Sequence, residues 1–444
     1  MERSANMPRW AYFAAAFFML QGMQAFGIVD RLLYGEWLSK PGNKLTQGLN
    51  LLLLAVSVAL FVSGIRRLRL IRTGAALALG LTAMLIGSAA WSIDPAMTIR
   101  EGILYLFVVL GSIGIVTNLR SDTFMDLTAS IAFGIAVASL ALLVVYPAAA
   151  YGQDGADFRG ICSQKNVLGE AMTIGALASL HGMRVGNHRR WRNAIYLATL
   201  GFVALKSQSA TSCLTIAVFC LTDFVIVLLR KGGAARILAT LVIIVAIPAL
   251  VGVAVFPDLL LTAIGKDPTL TGRTEIWNYV IAAIYQKPLL GWGYLAFWSF
   301  ANPVAMQISD LLHWFVPQSH NGLLEILLYV GVIGAAFFIF LWLRTVLLSV
   351  RCLKSGDPAV AITCLLSCAG IILVGISETV LIDPFEASTS IFFITGLFCE
   401  RALRVARVQV RPPAKTGFSA PSRFSGQSWR PNDQKHASPA APTR

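Results

Sequence analysis

The chain has 444 residues, of which 56% are hydrophobic and only 13% charged, with a mean hydropathy of +0.70. Such a composition excludes a soluble globular protein and places the outer surface in a bilayer. A net charge of +14 would point to nucleic acid in a soluble chain. Here the cations sit in short segments between apolar runs, the pattern that orients membrane proteins, so no nucleic-acid partner is expected.

In chain order, about twelve apolar runs approach membrane-crossing length, centred near residues 19, 55, 82, 110, 135, 174, 200, 220, 246, 333, 367 and 395. The sixth, seventh and twelfth are short enough to be re-entrant or tilted. The first run lies behind Arg3 and Arg9 like a secretory signal, but no small-x-small cleavage site follows it, and it reads as the first span. Cations gather in Arg66–Arg72, Arg184–Arg192, Arg230–Arg236 and Arg344–Lys354. With these segments inside, both termini are cytoplasmic, and the expected architecture is an all-α polytopic membrane domain over residues 1–410. Residues 411–444, rich in Pro, Ser, Arg and Gln, have no apolar period and read as a disordered cytoplasmic tail.

Two outer segments carry the chemistry. The smaller, residues 147–166, lies within "YPAAAYGQDGADFRGICSQKNVLGE" and holds Arg159 and Lys165 just before the sixth span. Asn166 is expected to cap that helix, leaving open N–H groups beside two cations, a phosphate site in outline. Contact with lipid headgroups is the alternative.

The larger, residues 257–320, continues past its end into the tenth span and is the one long polar interruption in the chain. In "RTEIWNYVIAAIYQ", Ile276, Val280 and Ile284 recur at helical spacing with Trp277 beside them, which predicts an interfacial helix. Gly272 and Thr271 leave its N-terminus open, so that Arg273 and the helix dipole aim positive charge at one spot. Gly291 and Gly293 in "PLLGWGYLAFW" suit a tight turn, and the aromatic residues suit a lipid or sugar face. A bare interfacial anchor would account for the same pattern.

His320, in "SHN" at the mouth of the tenth span, changes that balance. Asn321 is the expected cap and Glu325, one turn on, a partner for the imidazole. His313 and His320, with six residues between them, have a spacing unsuited to metal, so no metal site is expected. An imidazole is instead fitted to orienting or deprotonating a hydroxyl. The seven cysteines show no pairing or metal spacing, and Cys162 reads as an apolar filler.

Taken together, "TGRTEIW…PLLGWG…SHNGLLEILLYVGVIG" and "RGICSQKNVLGE" resemble the O-antigen ligase and Wzy-type polymerase family, and within it the exopolysaccharide polymerase branch of the succinoglycan type. The resemblance implies a C-type glycosyltransferase-like fold of about 12 transmembrane helices with one large periplasmic loop, in the bacterial inner membrane. It implies an inverting transfer from an undecaprenyl-diphosphate-linked oligosaccharide without metal, nucleotide or other cofactor. Arg273 and Arg159 would bind the diphosphate, and His320 would meet the acceptor hydroxyl. Lys165, Asn166, Asn321, Glu325, Gly272 and Trp277 would line the substrate. Membrane lipid and other polysaccharide assembly and chain-length proteins are the implied partners. Where ligase members carry Pro-Asn, this chain has Lys165-Asn166.

The chemistry agrees with this expectation, because arginines can stabilise the charge that collects on a departing diphosphate. An O-antigen ligase acting on lipid A core is the nearest alternative. A transporter would place ionisable groups near the bilayer midplane, whereas Glu170 and Glu325 fall near outer helix ends. An assembly scaffold is the third reading.

Overall fold

Short polar caps followed by proline set several of the helix starts. Asp94 accepts from Met97 N and is followed by Pro95; Asn302 accepts from Val304 N and is followed by Pro303; Asp357 accepts from Ala359 N and Val360 N and is followed by Pro358. Proline suits the first helical position because its missing N–H has no partner there anyway, while the Asp or Asn oxygen satisfies an orphan donor.

The computed structural model describes residues 8–34, 43–152, 155, 157–186, 189–231, 233, 234, 236–238, 240, 241 and 273–410. The run near residue 246, residues 257–272 of the larger outer segment and the tail at 411–444 therefore lie outside the described residues. In chain order the helices are α1 (Arg9–Gly22), α2 (Gly27–Tyr34), α3 (Lys44–Gly64), α4 (Arg72–Gly87), α5 (Pro95–Asn118), α6 (Ser121–Val145), the single turn α7 (Pro147–Ala150), α8 (Lys165–Val185), α9 (Arg190–Ser207) and α10 (Ala210–Lys231). After the undescribed stretch come α11 (Arg273–Gln286), α12 (Pro303–Leu312), α13 (Gly322–Ser355), α14 (Pro358–Gly375) and α15 (Ala387–Val410). Among the described residues there is no strand, only an isolated bridge between Tyr151 and Phe158.

Seven of these helical stretches are long and apolar enough to cross a membrane, or eight if the bent pair α1 and α2, which meet at 64°, makes one span. The helices at the sixth, seventh and twelfth apolar runs, α8, α9 and α15, are not in that set. Burial separates centre from rim. Of their most apolar stretches, 67% of α14 and 61% of α5 is buried, against 22% of α3, so α5 and α14 form the middle and α3 turns much of its surface outward.

Cationic segments meet at one end of the bundle. There Arg67 donates to Thr117 O and Arg401 to Val116 O and Leu119 O, neutralising the carbonyl end of α5. Arg344 and Arg404 bracket Glu400, Arg184 pairs with Asp223, and Arg189 and Arg192 share Asp126. The opposite end gathers the starts of α8, α11, α13 and α15 and the finish of α14, and with them the residues singled out by motif.

The described part of the larger outer segment folds as helix, turns and helix packed on the bundle. Helix α11 buries Ile276, Val280 and Ala283 against protein and leaves Tyr285 exposed. Beyond it, the Pro288–Gly293 segment lies along a break in α13. Trp292 N donates to Leu328 O, Gly293 N to Tyr329 O, and Val332 N to Pro288 O. The break is at Gly331, with φ 62° and ψ −166°, and a Cβ there would lie 2.3 Å from the Leu289 carbonyl carbon. Only glycine allows that approach. The aromatic residues of "PLLGWGYLAFW", residues 288–298, are expected from the sequence to face lipid or sugar; Trp292, Tyr294, Phe297 and Trp298 are instead buried. Tyr294 packs edge-on against Tyr105 and Tyr329, and burying rings of this size contributes roughly 1.5–3 kcal/mol each.

Candidate active site

Three of the residues expected at the site converge on a carboxylate that the motifs did not mark. Helix α14 ends at Gly375, and one further turn, with Ser377 N and Glu378 N both bonded to Val374 O, carries Glu378 to the end of the bundle. Arg273, the first residue of α11, reaches across to this turn. Its Nη1 donates to Ser377 O at 2.6 Å and its Nη2 lies 3.5 Å from Glu378 Oε1. Asn166, in the first turn of α8, donates Nδ2 to the same Oε1 at 2.7 Å. His320 Nδ1 lies 3.6 Å from the other oxygen, Oε2. Arg273, Glu378 and His320 side chains are 19%, 17% and 22% exposed, which leaves them sheltered but reachable.

His320 is held by its surroundings on several sides. It adopts φ 53°, in the left-handed region where few residues other than glycine and asparagine rest, a conformation that the flanking contacts must maintain. Gln318 Nε2 lies 3.1 Å from its Nδ1, and Thr379 Oγ1 donates to Gln318 Oε1 at 2.7 Å. The Nδ1 side is therefore engaged by protein. Nε2 takes part in none of the described hydrogen bonds.

Asn321 caps α13 as expected, accepting from Leu323 N and Leu324 N, and its Nδ2 donates to Ile376 O. Trp277 donates its indole N–H to Ser319 O at 2.9 Å, which ties α11 to the histidine loop. Glu325 differs from expectation. It is 1% exposed and accepts from Ser319 N and from Trp298 Nε1, so it staples the loop from beneath, while the carboxylate facing the imidazole belongs to Glu378. The reason is geometric, since one turn into α13 the Glu325 side chain already points into the bundle.

Asn166 does not cap α8. The cap position belongs to Gln164, which makes no side-chain cap bond, and the Asn166 amide is spent on Glu378. Lys165 pairs with Asp157 at 2.7 Å. Arg159 stands at the same end of the bundle on the loop entering α8, its backbone N–H donating to Ala150 O. That loop is joined to the 376–386 turn through Ser163 Oγ to Gln24 Oε1 and Gln24 Nε2 to Phe385 O. Gly272 lies outside the described residues.

The turn that bears Glu378 also bears Asp383 and Glu386. Burial pushes the Asp383 carboxyl up to about 7, with a hydrogen bond from Phe385 N opposing and the charges of Glu101, Glu170 and Glu325 adding to the rise. Burial, followed by the neighbouring Glu170, holds Glu386 well above the usual carboxylate range. A signal for this turn existed in the sequence: "ISETVLIDPFE" places three carboxylates between two apolar runs, on the side that helix alternation assigns to His320.

Chemically, the arrangement offers a guanidinium anchored at one nitrogen, an amide, and an imidazole with one nitrogen open. Such a set can take an anion at Arg273 and a hydroxyl at His320.

Residues 195–339 match the family model described as O-Antigen ligase, a stretch that includes Arg273, Trp277, His320, Asn321 and Glu325 and stops short of Glu378. The chain is 30% identical over 260 residues to the exopolysaccharide production protein ExoQ of Rhizobium meliloti (strain 1021), an alignment covering 55% of this chain and 58% of that relative. The chain thus spans little more than half the length of the curated relative it matches. The bundle of apolar helices with the Arg273, Asn166 and His320 cluster at one end is similar, over residues 195–339, to the O-Antigen ligase family model and, over 260 residues, to a protein of exopolysaccharide production.

Proposed function

We propose that this protein transfers a glycan from an undecaprenyl-diphosphate carrier to a sugar hydroxyl, and so polymerises exopolysaccharide repeat units at the outer face of the bacterial inner membrane. The observation that carries the reading is the convergence of Arg273, Asn166 and His320 on one turn, at the end of the bundle opposite the arginine-rich end. Cation-rich ends of membrane proteins face the cytoplasm, which supports the reading of this site as periplasmic and of both termini as inside.

In the transfer, Arg273 receives the donor diphosphate, with Arg159 on the neighbouring loop as the second cation. Charge builds on the leaving diphosphate as the glycosidic bond breaks, and a fixed guanidinium in a sheltered site stabilises the transition state more than the ground state. His320 meets the acceptor hydroxyl and takes its proton, and attack from the face opposite the diphosphate inverts the anomeric carbon. The acceptor is a second lipid-linked repeat unit, a reading that suits similarity to an exopolysaccharide production protein; the alternative, suggested by the family description O-Antigen ligase, is a ligase, whose acceptor would be a lipid A core.

Deletion of the gene separates the two. A polymerase deletion leaves single repeat units on the lipid carrier and no high-molecular-weight polysaccharide, and His320→Ala gives the same phenotype with protein still in the membrane. Long polymer accumulating on undecaprenyl diphosphate, unattached to core, would make the protein a ligase.

A further inference from the structure

Arg273 is bound unequally at its two ends. Nη1 is anchored to Ser377 O at 2.6 Å, whereas Nη2 stands 3.5 Å from Glu378 Oε1, an oxygen already taken by Asn166 at 2.7 Å. One nitrogen is fixed and the other is loosely paired with an anion. Glu378 Oε2, meanwhile, faces His320 Nδ1 at 3.6 Å. A single carboxylate therefore stands between the group suited to a diphosphate and the group suited to a hydroxyl.

We propose that Glu378 is the resident anion of the diphosphate site and the positioning residue for His320. It holds the Arg273 guanidinium while the site is empty, yields it to the donor, and then holds the Nδ1 side of the imidazole. This rests on the glycan-transfer reading. A sheltered guanidinium without a counter-anion is costly, and Glu378 removes that cost until a diphosphate replaces it. Because Nη1 stays on Ser377 O, the guanidinium need only turn Nη2 from carboxylate to diphosphate. While the site is empty the Gln318 Nε2–H donates to Nδ1, so the ring proton sits on Nε2. The freed carboxylate takes over the Nδ1 side from Gln318 and draws the ring into the tautomer with the proton on Nδ1, which leaves Nε2 unprotonated for the acceptor. The acceptor O–H proton then passes to Nε2. The oxygen's electron pair forms the new bond to the anomeric carbon, and the anomeric C–O bond breaks with its electrons on the diphosphate. Glu378 balances the imidazolium that results.

Binding of undecaprenyl diphosphate to the purified full-length protein in nanodiscs, together with transfer kinetics on a lipid-linked repeat unit, tests this in wild type, Glu378→Gln, Glu378→Asp and Arg273→Ala. Glu378→Gln is expected to bind the carrier about threefold to tenfold more tightly, as removal of a like charge beside an anion requires, and to lower the donor KM while kcat falls by about tenfold or more. Arg273→Ala weakens binding. Glu378→Asp draws the carboxylate back by one methylene; it is expected to keep carrier binding near wild type and lose kcat, and it stands in if the Gln variant fails to accumulate. Unchanged or weaker carrier binding in Glu378→Gln, or wild-type kcat in both variants, overturns the proposal and leaves Glu378 a scaffold. A wild type that binds carrier but transfers nothing counts against the transfer reading alone, and tighter binding by Glu378→Gln would still support the exchange at Arg273.

Discussion

Trp277 donates its indole N–H to the carbonyl of Ser319 at 2.9 Å, and this bond joins the helix that begins with Arg273 to the loop that carries His320. The two functional groups are thereby held in one frame, although 47 positions separate them (320 − 273). Trp277→Phe keeps a ring at the half-buried site and removes the bond. A net loss of about 1 kcal/mol, roughly fivefold in rate, is expected if the tie serves to place His320. Transfer kinetics and thermal unfolding of the purified variant check it: kcat falls while the unfolding temperature stays close to wild type. Equal activity would mean that the loop is positioned without α11.

Gly331 tests the insertion of the Pro288–Gly293 segment into the break in α13. A Cβ at Gly331 meets the Leu289 backbone at 2.3 Å, whereas one at Gly87 meets nothing within 4 Å. Gly331→Ala is expected to lose membrane accumulation, with about 1–3 kcal/mol from the backbone conformation alone and more from the clash, while Gly87→Ala accumulates normally. Quantitative immunoblotting of membranes reads both. Normal levels of active Gly331→Ala would contradict the observed packing.

Much of this architecture is legible in the chain itself. The helix at Arg273–Gln286 follows from Ile276 and Val280 at helical spacing, the start of α13 from Asn321, and the cation-rich end from its arginines. Partners across distance are not legible in the same way. Glu325 was the expected companion of His320 because it is near in sequence and one turn away, but that turn points it into the core beneath Ser319. Glu378, 58 positions on (378 − 320), takes the place because α14 returns antiparallel to α13 and ends beside it. The aromatic residues after Gly291 illustrate a second limit, since composition alone does not tell a lipid-facing ring from one packed on Tyr105 and Tyr329.

Stability should depend on pH through the 376–386 turn. The Asp383 carboxyl is raised from its ordinary range to about 7, so the folded protein binds that proton more tightly than the unfolded chain does. Its contribution is fully present below the ordinary carboxylate range, and is lost as pH rises through about 7. Glu386, also raised, acts in the same direction. Thermal unfolding in detergent is expected at a higher temperature near pH 5.5 than near pH 8, and Asp383→Asn narrows the difference. A midpoint that climbs with pH, indifferent to Asp383→Asn, would contradict this.

Orientation is open to a labelling scan. Ala301, exposed at the site end, and Ser355, exposed at the arginine-rich end, lie on opposite sides if the bundle spans the membrane as proposed. An impermeant thiol reagent should modify Ala301→Cys in intact cells whose outer membrane has been made permeable, and Ser355→Cys only after lysis of the inner membrane. The reverse pattern would put His320 in the cytoplasm, where a periplasmic transfer could not occur.

The most direct measurement is transfer itself, in proteoliposomes containing only the purified protein and a repeat unit linked to undecaprenyl diphosphate. Wild type is expected to yield a ladder of longer lipid-linked glycans and to release undecaprenyl diphosphate. His320→Ala yields no ladder, and Arg273→Lys loses about tenfold or more of the rate, because a point charge does not reproduce the two-nitrogen fork. A ladder of equal length and rate from His320→Ala and Arg273→Lys would contradict the account, as would unchanged substrate from a folded wild type offered the repeat units of its own cell.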